Sequence, residues 1–156
     1  MTWLSFGERT YHPGSLRLDI RPVADVCGDV RALPFVSDAF AGVECWHVIE
    51  HLLPWEAEAA VAELARVTQP GGTVDIAVPD LQLCAKLLLT GDTGALDYIY
   101  SPRPDPALCH RFGYTPVTLA FLLRPHFEAT FIPNRGEGWT DDYAIHVIGT
   151  PRKEVT

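Results

Sequence analysis

The stretch "LRLDIRPVADVCGDVRALPF", residues Leu16 to Phe35, decides the fold class because it contains two apolar runs that each lead to an acid. "SLRLDI" alternates apolar and polar residues and reaches Asp19, whereas "VADVCGDV" is a short apolar run that passes Gly28 and reaches Asp29. Period-two alternation and short apolar runs between turn residues predict β-strands. Two short strands that end in carboxylates are therefore expected here.

The flanking sequence alternates strands with helices. "TWLSF" precedes the stretch as a strand, and "AGVECW" follows it as a short buried strand. Helical spacing then appears in "PWEAEAAVAELARV", which ends at "QPGG", and again in "LQLCAKLLLT" and "TPVTLAFLL". "TVDIAV", "FEATFI" and "YAIHVIGT" are further strands, the last two forming a hairpin. This order predicts an α/β domain with a mainly parallel sheet and one antiparallel strand.

Composition narrows the class of protein. The chain has 156 residues, which favours one domain over residues 1–156. Its 12 basic residues against 20 acidic ones, without a basic run, disfavour a nucleic-acid partner. No apolar run is long enough to span a membrane, and the amino terminus lacks the pattern of a signal peptide. A cytoplasmic protein is expected, in which the four scattered cysteines are reduced thiols.

The order of the motifs resembles the small "type 11" group of class I, Rossmann-like, S-adenosylmethionine-dependent methyltransferases. The resemblance rests on "LRLDIRPVADVCGDVRALPF", "AGVECWHVIEHL" and "ELARVTQPGGTVDIAVPD", and more weakly on "HRFGYTPVTLAFLL". It implies helices on both faces of a sheet with strand order 3-2-1-4-5-7-6 and the last strand antiparallel. It also implies S-adenosylmethionine as cofactor, bound at the carboxyl ends of the central strands.

The resemblance carries cofactor contacts onto particular residues. Asp19 would accept hydrogen bonds from the ribose hydroxyls, and Asp29 with Val30 would meet the adenine. The family has a glycine-rich turn after the first strand. This chain has "FGERTYHPG" there, and only Gly7 fits that turn. The full set of expected cofactor residues is Gly7, Asp19, Ile20, Asp29, Val30, Trp46 and His47. Each acid has a simpler alternative as a strand-end carboxylate that pairs with a nearby arginine or caps a turn.

The sequence indicates catalytic residues less clearly, because methyl transfer requires mainly that the protein align donor and acceptor and remove a proton. The candidates are His47, His51, His110 and Tyr114, whose side chains can take a proton or bind an acceptor. Glu50 and His51 also fit a structural role in the turn after the fourth strand. His47 and His51 have metal-ligand spacing, but Val48 replaces the glutamate of the H-E-x-x-H motif, so no metal is expected.

The first loop is shorter than a parallel crossover normally requires, so the first crossover helix is expected to be short or missing. Apolar sheet surface left uncovered by that helix would favour a homodimer. Three functions stay open on the sequence. They are a methyltransferase for a small-molecule or sugar-type acceptor, a non-catalytic cofactor-binding or scaffold protein, and another nucleotide-using enzyme on the same fold.

Overall fold

Three short parallel strands begin the sheet in the computed structural model, which describes residues 2–6, 12–132 and 143–153. They are β1 (Trp3–Phe6), β2 (Leu16–Asp19) and β3 (Val26–Cys27). Leu4 pairs with Leu16, and Asp19 pairs with Cys27, in parallel register. The third strand is shorter than the sequence indicates, because Gly28 and Asp29 lie beyond its last ladder pair.

The later elements complete a sheet of seven strands in the order β3-β2-β1-β4-β5-β7-β6. β7 runs antiparallel to both of its neighbours, so the predicted order and the predicted antiparallel strand are confirmed. Helices surround this Rossmann-like sheet. The elements are β4 (Phe40–Trp46), a 3₁₀ turn (Ile49–His51), α1 (Pro54–Val67), β5 (Thr68–Pro79), α2 (Leu81–Leu89), α3 (Ala95–Tyr100), a second 3₁₀ turn (Pro106–Leu108), α4 (Pro116–Leu123), β6 (Phe127–Ile132) and β7 (Ala144–Pro151).

Local chemistry fixes where the helices begin. Pro54 occupies the first turn of α1, and the Glu56 carboxylate accepts the backbone N–H of Leu53 at 2.9 Å. The Asp80 carboxylate caps α2 by accepting the N–H groups of Gln82 and Leu83. Thr115 caps α4 in the same way.

One face of the sheet forms the core. Leu4, Val43 and Val74 are neighbours in register on β1, β4 and β5, and none is more than 1% exposed. Fully buried side chains of α1 and α4, including Leu64 and Leu119, belong to the same apolar cluster. Burial of this size is the main stabilising contribution to a domain of this length.

The connection between the parallel strands β1 and β2 can be short because both strands are short. Residues 7–15 connect β1 to β2, and the described part, residues 12–15, is a turn rather than a helix. Residues 20–25, between β2 and β3, likewise contain no helix. A strand of four residues spans only about 13 Å, so a nine-residue connection can return to its start without a helix. Residues 12–15 are consistent with the predicted short or missing helix.

The second face of the central strands is more polar than the sequence analysis assumed. Ser5, Glu44 and Asp75 are neighbours in register on β1, β4 and β5 and point away from the core face. Thr130 continues this row opposite Ile148 at the far edge. Ile148 is 39% exposed, so this face combines a polar row on the central strands with some uncovered apolar surface on β7, and the homodimer stays a prediction.

An aromatic pair covers part of this second face beside the first crossover. The Trp3 ring stacks on His12, with ring centroids 4.2 Å apart, and lies across Gly42 of β4. A Cβ atom at Gly42 would come within 2.6 Å of the Trp3 indole. Close packing of the ring therefore requires glycine at this position.

We expect Gly42→Ala to destabilise the protein by about 1–3 kcal/mol, the usual effect of overpacking. Alanine in place of a strand glycine would otherwise stabilise by roughly 0.5–1 kcal/mol, so the sign of the change identifies the steric contact. Urea unfolding of Gly42→Ala, Trp3→Ala and the double variant measures it. An unchanged or higher free energy of unfolding in Gly42→Ala would contradict the packing of Trp3 on Gly42.

Asp75 makes the fold sensitive to pH. Burial raises the pKa of this carboxyl to about 6, with a further contribution from Glu44 and an opposing one from the Trp46 side chain. An acid whose folded pKa exceeds its unfolded value disfavours the folded state once it ionises. Its unfavourable contribution therefore grows as the pH rises from about 4 to about 6 and is complete above that range.

We expect Asp75→Asn to raise the free energy of unfolding at pH 7 by about 1–3 kcal/mol and to change it little below pH 4. Denaturant unfolding at several pH values tests this expectation. Asp25→Asn is the control, because Asp25 is exposed and its pKa is lowered by Arg17. Equal stabilisation by Asp75→Asn at pH 3.5 and pH 7 would contradict the raised pKa.

Two segments differ from the sequence expectation. Pro70, Gly71 and Gly72, predicted as a turn after α1, lie within the bounds of β5, where the pairing with β4 shifts register. Gly71 has φ +73° there, a conformation that favours glycine. The segment between α2 and α4, called the long loop below, is rich in Pro, Gly and Asp, which predicts a loop with room for one short helix, and it contains both α3 and the second 3₁₀ turn. Among the described residues, no helix combines the length and apolarity needed to cross a membrane.

Candidate active site

A cleft of about 760 Å³ opens at the carboxyl ends of β1, β2 and β4. Phe6, Leu18 and Leu52 give it an apolar lining, and Glu44 adds a carboxylate that is only 7% exposed. The second 3₁₀ turn and Arg111 bound the cleft on the side of the long loop. Its size and its apolar lining with a few polar groups are typical of small-molecule sites.

Most of the cofactor residues expected from the sequence lie together in this cleft. Six of the seven line it, whereas Gly7 lies outside the described residues. Parallel strands bring their carboxyl ends to one edge, which explains why residues 10 to 30 positions apart in sequence meet here. The six are Asp19, Ile20, Asp29, Val30, Trp46 and His47.

Asp19 is held by Arg21. The Arg21 backbone N–H donates to its Oδ1 at 2.8 Å, and the guanidinium donates to both carboxylate oxygens at 3.1 and 3.2 Å. Burial alone would raise the pKa of Asp19, but the hydrogen bonds and charge of Arg21 outweigh it and lower the pKa. The carboxylate therefore stays ionised and is a strong acceptor at the wall of the cleft.

Asp29 repeats this arrangement and extends it into a network. Arg31 donates its backbone N–H and its guanidinium to Asp29, whose pKa these hydrogen bonds lower. The same guanidinium contacts Glu56 of α1, and Glu56 in turn accepts from Arg111 at 3.1 Å. Three residues of the cleft wall, Asp29, Arg31 and Arg111, are thus tied to the first turn of α1.

His47 holds an unusual backbone conformation immediately after β4. Its φ is +54°, in the left-handed region that non-glycine residues rarely adopt. Its backbone N–H donates to Ala77 O at 2.9 Å, and its Nδ1 lies 3.2 Å from Glu50 Oε1. Residues in such conformations persist only where surrounding contacts hold them, and they concentrate at functional sites.

The four catalytic candidates divide into two pairs. His47 and His51 line the cleft, whereas His110 and Tyr114 do not. His110 packs against His51 from outside the cleft, and the centroids of the two rings are 4.9 Å apart. Burial lowers the pKa of His110, with Glu50 opposing, and raises the pKa of Tyr114, which is 2% exposed. Direct contact of Tyr114 with an acceptor in this cleft is therefore not supported.

Among the charged residues of the cleft, Glu44, Arg21 and Arg31 were not singled out from the sequence as ligand contacts. A local signal for the two arginines exists, because "DIR" (19–21) and "DVR" (29–31) repeat an acid with arginine two positions later. Glu44 had no such signal, since only strand register brings it here. Arg111 stands next to His110 in the sequence and was grouped with it as a residue that could bind an acceptor, and it lines the cleft.

The cleft suits a cationic nucleoside. Ionised Asp19 can accept hydrogen bonds from sugar hydroxyls, and Ile20 and Val30 offer apolar surface to a flat base. Glu44 and the Trp46 ring can stabilise a positive charge near the end of β4. The strand order, the antiparallel β7 and this cleft together define a class I methyltransferase fold.

Comparison with known proteins gives the family. A family model described as "Methyltransferase domain" matches residues 9–76, the segment that carries β2 to β4, α1 and most of β5. Over these residues the chain is similar to this methyltransferase family, and the resemblance inferred from the sequence is confirmed. No curated protein sequence matches the chain.

Solved structures agree with the fold over nearly the whole chain. The PH0226 protein from Pyrococcus horikoshii is 19% identical, with 97% of this chain and 82% of that chain covered and a TM-score of 0.65. Burkholderia thailandensis 1,6-didemethyltoxoflavin-N1-methyltransferase, solved with S-adenosylhomocysteine, is 14% identical, with 97% and 71% covered and a TM-score of 0.63. Human N-acetylserotonin methyltransferase, solved with S-adenosylmethionine, is 13% identical, with 97% and 48% covered and a TM-score of 0.61.

Proposed function

We propose that the chain binds S-adenosylmethionine in the cleft and transfers its methyl group to a small-molecule acceptor. The observation that carries this proposal is that six residues, expected from the sequence to contact the cofactor, line one cleft at the carboxyl ends of the strands. Among proteins of the same fold, the Burkholderia enzyme was solved with a small-molecule ligand, 1,6-didemethyltoxoflavin. A small-molecule or sugar-type acceptor is proposed on that basis.

In this proposal the chain's residues mainly bind and orient. Asp19 accepts the ribose hydroxyls after the Arg21 guanidinium moves aside, while the Arg21 backbone N–H keeps the carboxylate in place. Ile20 and Val30 pack on the adenine, and Asp29 contacts its edge. Glu44 and Trp46 lie near the sulfonium, whose methyl group is already activated for transfer.

The acceptor would enter beside the long loop, where Leu108 and Arg111 line the cleft. His47 and His51 both line the cleft, and each stays a candidate for contact with the acceptor. The first step of the test is binding. Isothermal titration of the full chain with S-adenosylmethionine and S-adenosylhomocysteine should give saturable heat, whereas ATP should not bind at matched concentration. Absence of binding at millimolar cofactor would reject the proposal.

A second candidate function is a non-catalytic cofactor binder or scaffold. The pairing of two acids of the cleft, Asp19 with Arg21 and Asp29 with Arg31, favours it because the arginines occupy the expected ligand sites. Saturable cofactor binding without transfer of a labelled methyl group to any acceptor in a metabolite library would support this alternative.

Three further expectations stay predictions. A single domain over residues 1–156 and a cytoplasmic location are two of them. The third is a homodimer, for which gel filtration should give a mass near twice 17.2 kDa. Elution as a monomer at micromolar concentration would exclude a stable homodimer.

A further inference from the structure

A cluster of metal-ligand side chains, of which Glu50 is buried and His51 and His110 are half-buried, lies at the wall of the cleft and outside the proposed cofactor contacts. Glu50, His51 and His110 each offer a ligand atom, and these atoms all lie within 4.8 Å of one another. Glu50 is 1% exposed, and its Oε2 has no hydrogen-bond partner among the described residues. A buried carboxylate oxygen without a partner is energetically unfavourable unless something compensates it.

The backbone holds the two sequence-distant parts of the cluster together. The carbonyl oxygen of Glu50 accepts the N–H groups of Arg111 at 2.8 Å and Phe112 at 3.1 Å. These bonds fix the loop against the 3₁₀ turn and place His110 beside Glu50, with Nε2 3.9 Å from Oε1. The contact between His110 and Glu50 is therefore fixed by backbone hydrogen bonds.

Both imidazoles are oriented by backbone carbonyls. His51 Nδ1 lies 3.1 Å from Cys109 O, and His110 Nδ1 lies 2.8 Å from Tyr98 O. Because a carbonyl only accepts, each Nδ1 carries the proton and each Nε2 keeps its lone pair. Histidines that bind metals show this arrangement, in which a hydrogen bond at one nitrogen presents the other to the ion.

We propose that Glu50, His51 and His110 bind a divalent transition-metal ion through one carboxylate oxygen and two Nε2 atoms. Imidazole and carboxylate ligands suit Zn²⁺, Fe²⁺ and related ions, whereas Mg²⁺ prefers oxygen ligands alone. Modest side-chain rotations would close the present spacing around an ion. His51 also lines the cleft, so an ion bound here would lie at its wall, where water or an oxygen or nitrogen atom of a bound molecule could complete the coordination.

The sequence reasoning missed this site because it weighed His47 with His51. In the structure His47 Nδ1 is directed to Glu50 Oε1 and supports the carboxylate. The third ligand instead comes from a loop about 60 positions further along the chain. The expectation of no metal concerned a different pair of side chains.

Metal binding can be measured without the methyl donor. Equilibrium dialysis of the full chain, freed of metal with a chelator, should show one Zn²⁺ or Co²⁺ per chain and no comparable binding of Mg²⁺. Zn²⁺ should raise the unfolding temperature, and the chelator should reverse the shift. Absence of Zn²⁺ and Co²⁺ binding by the unaltered chain would overturn the proposal.

Variants locate the ion. His51→Gln, His110→Gln and Glu50→Gln should each weaken Zn²⁺ binding by about 100-fold or more. His126→Gln is the matched control, because His126 lies in the turn between α4 and β6. Cys109→Ser should keep full affinity, which separates this site from binding to the neighbouring thiol. Full affinity in His110→Gln, or loss in Cys109→Ser with retention in both histidine variants, would overturn the assignment.

Discussion

Asp19→Ala is expected to weaken binding of S-adenosylmethionine by on the order of 100-fold or more. The Asp19 carboxylate is ionised and lines the cleft, where it can accept both hydroxyl groups of a ribose. Hydrogen bonds to a charged group contribute roughly 1.5–3 kcal/mol each, and every 1.4 kcal/mol changes a dissociation constant tenfold. Isothermal titration with S-adenosylhomocysteine, which is stable during the measurement, gives the ratio of the two constants.

The control for this prediction is Asp25→Ala. Asp25 also pairs with an arginine, Arg17, but it is exposed and lies outside the cleft. Its removal should leave the dissociation constant within about twofold. Asp19→Asn adds a second comparison, because it keeps an acceptor oxygen and loses the charge, and we expect intermediate affinity. Equal affinity of Asp19→Ala and the unaltered chain would place the ribose elsewhere.

Phe127→Ala is expected to lower the free energy of unfolding by about 3–5 kcal/mol. Phe127 begins β6, is 1% exposed and is the largest of the fully buried side chains. A Cβ atom at Gly149 of β7 would lie 3.2 Å from the Cβ atom of Phe127, so β7 packs closely against this side chain. Such a site cannot collapse around a smaller side chain, and the cavity adds to the lost transfer energy.

Phe121→Ala is the matched control in the same part of the fold. Phe121 lies on the exposed side of α4 at 60% exposure, and its ring contacts Arg124. Its loss should lower the free energy of unfolding by less than about 1 kcal/mol. Chemical unfolding of both variants measures the difference. Equal effects at the two positions would contradict the packing of β6 against the apolar cluster.

The pairing of Asp19 and Asp29 with arginines bears on the choice between an enzyme and a scaffold. Asp19 and Asp29 keep the positions expected of cofactor ligands, yet each already accepts hydrogen bonds from the arginine two residues later. Binding must therefore exchange one partner for another. A cofactor that gains strong contacts elsewhere in the cleft can drive this exchange, whereas one that does not will bind weakly.

The predictions that the structure confirms concern features that depend on residues close together in the sequence. Strand periodicity, the helix caps and the acids at strand ends are readable from neighbouring residues. The carboxyl ends of parallel strands share one edge, so the order of the motifs was enough to place Asp19, Asp29 and Trp46 in one cleft. For this reason the fold class and most cofactor candidates followed from the sequence.

The sequence by itself determined the α/β class, because strand and helix periodicity are short-range patterns, and its resemblance to a methyltransferase family implied the order of the sheet and the edge at which the cleft opens. Only the tertiary structure decided that His110 meets Glu50 and His51, and that Glu44 lies beside Asp75. The first contact depends on two hydrogen bonds from the loop to the Glu50 carbonyl, and the second on strand register. Such contacts join residues far apart in sequence and have no periodic pattern, so the physical cause exists only in the folded chain.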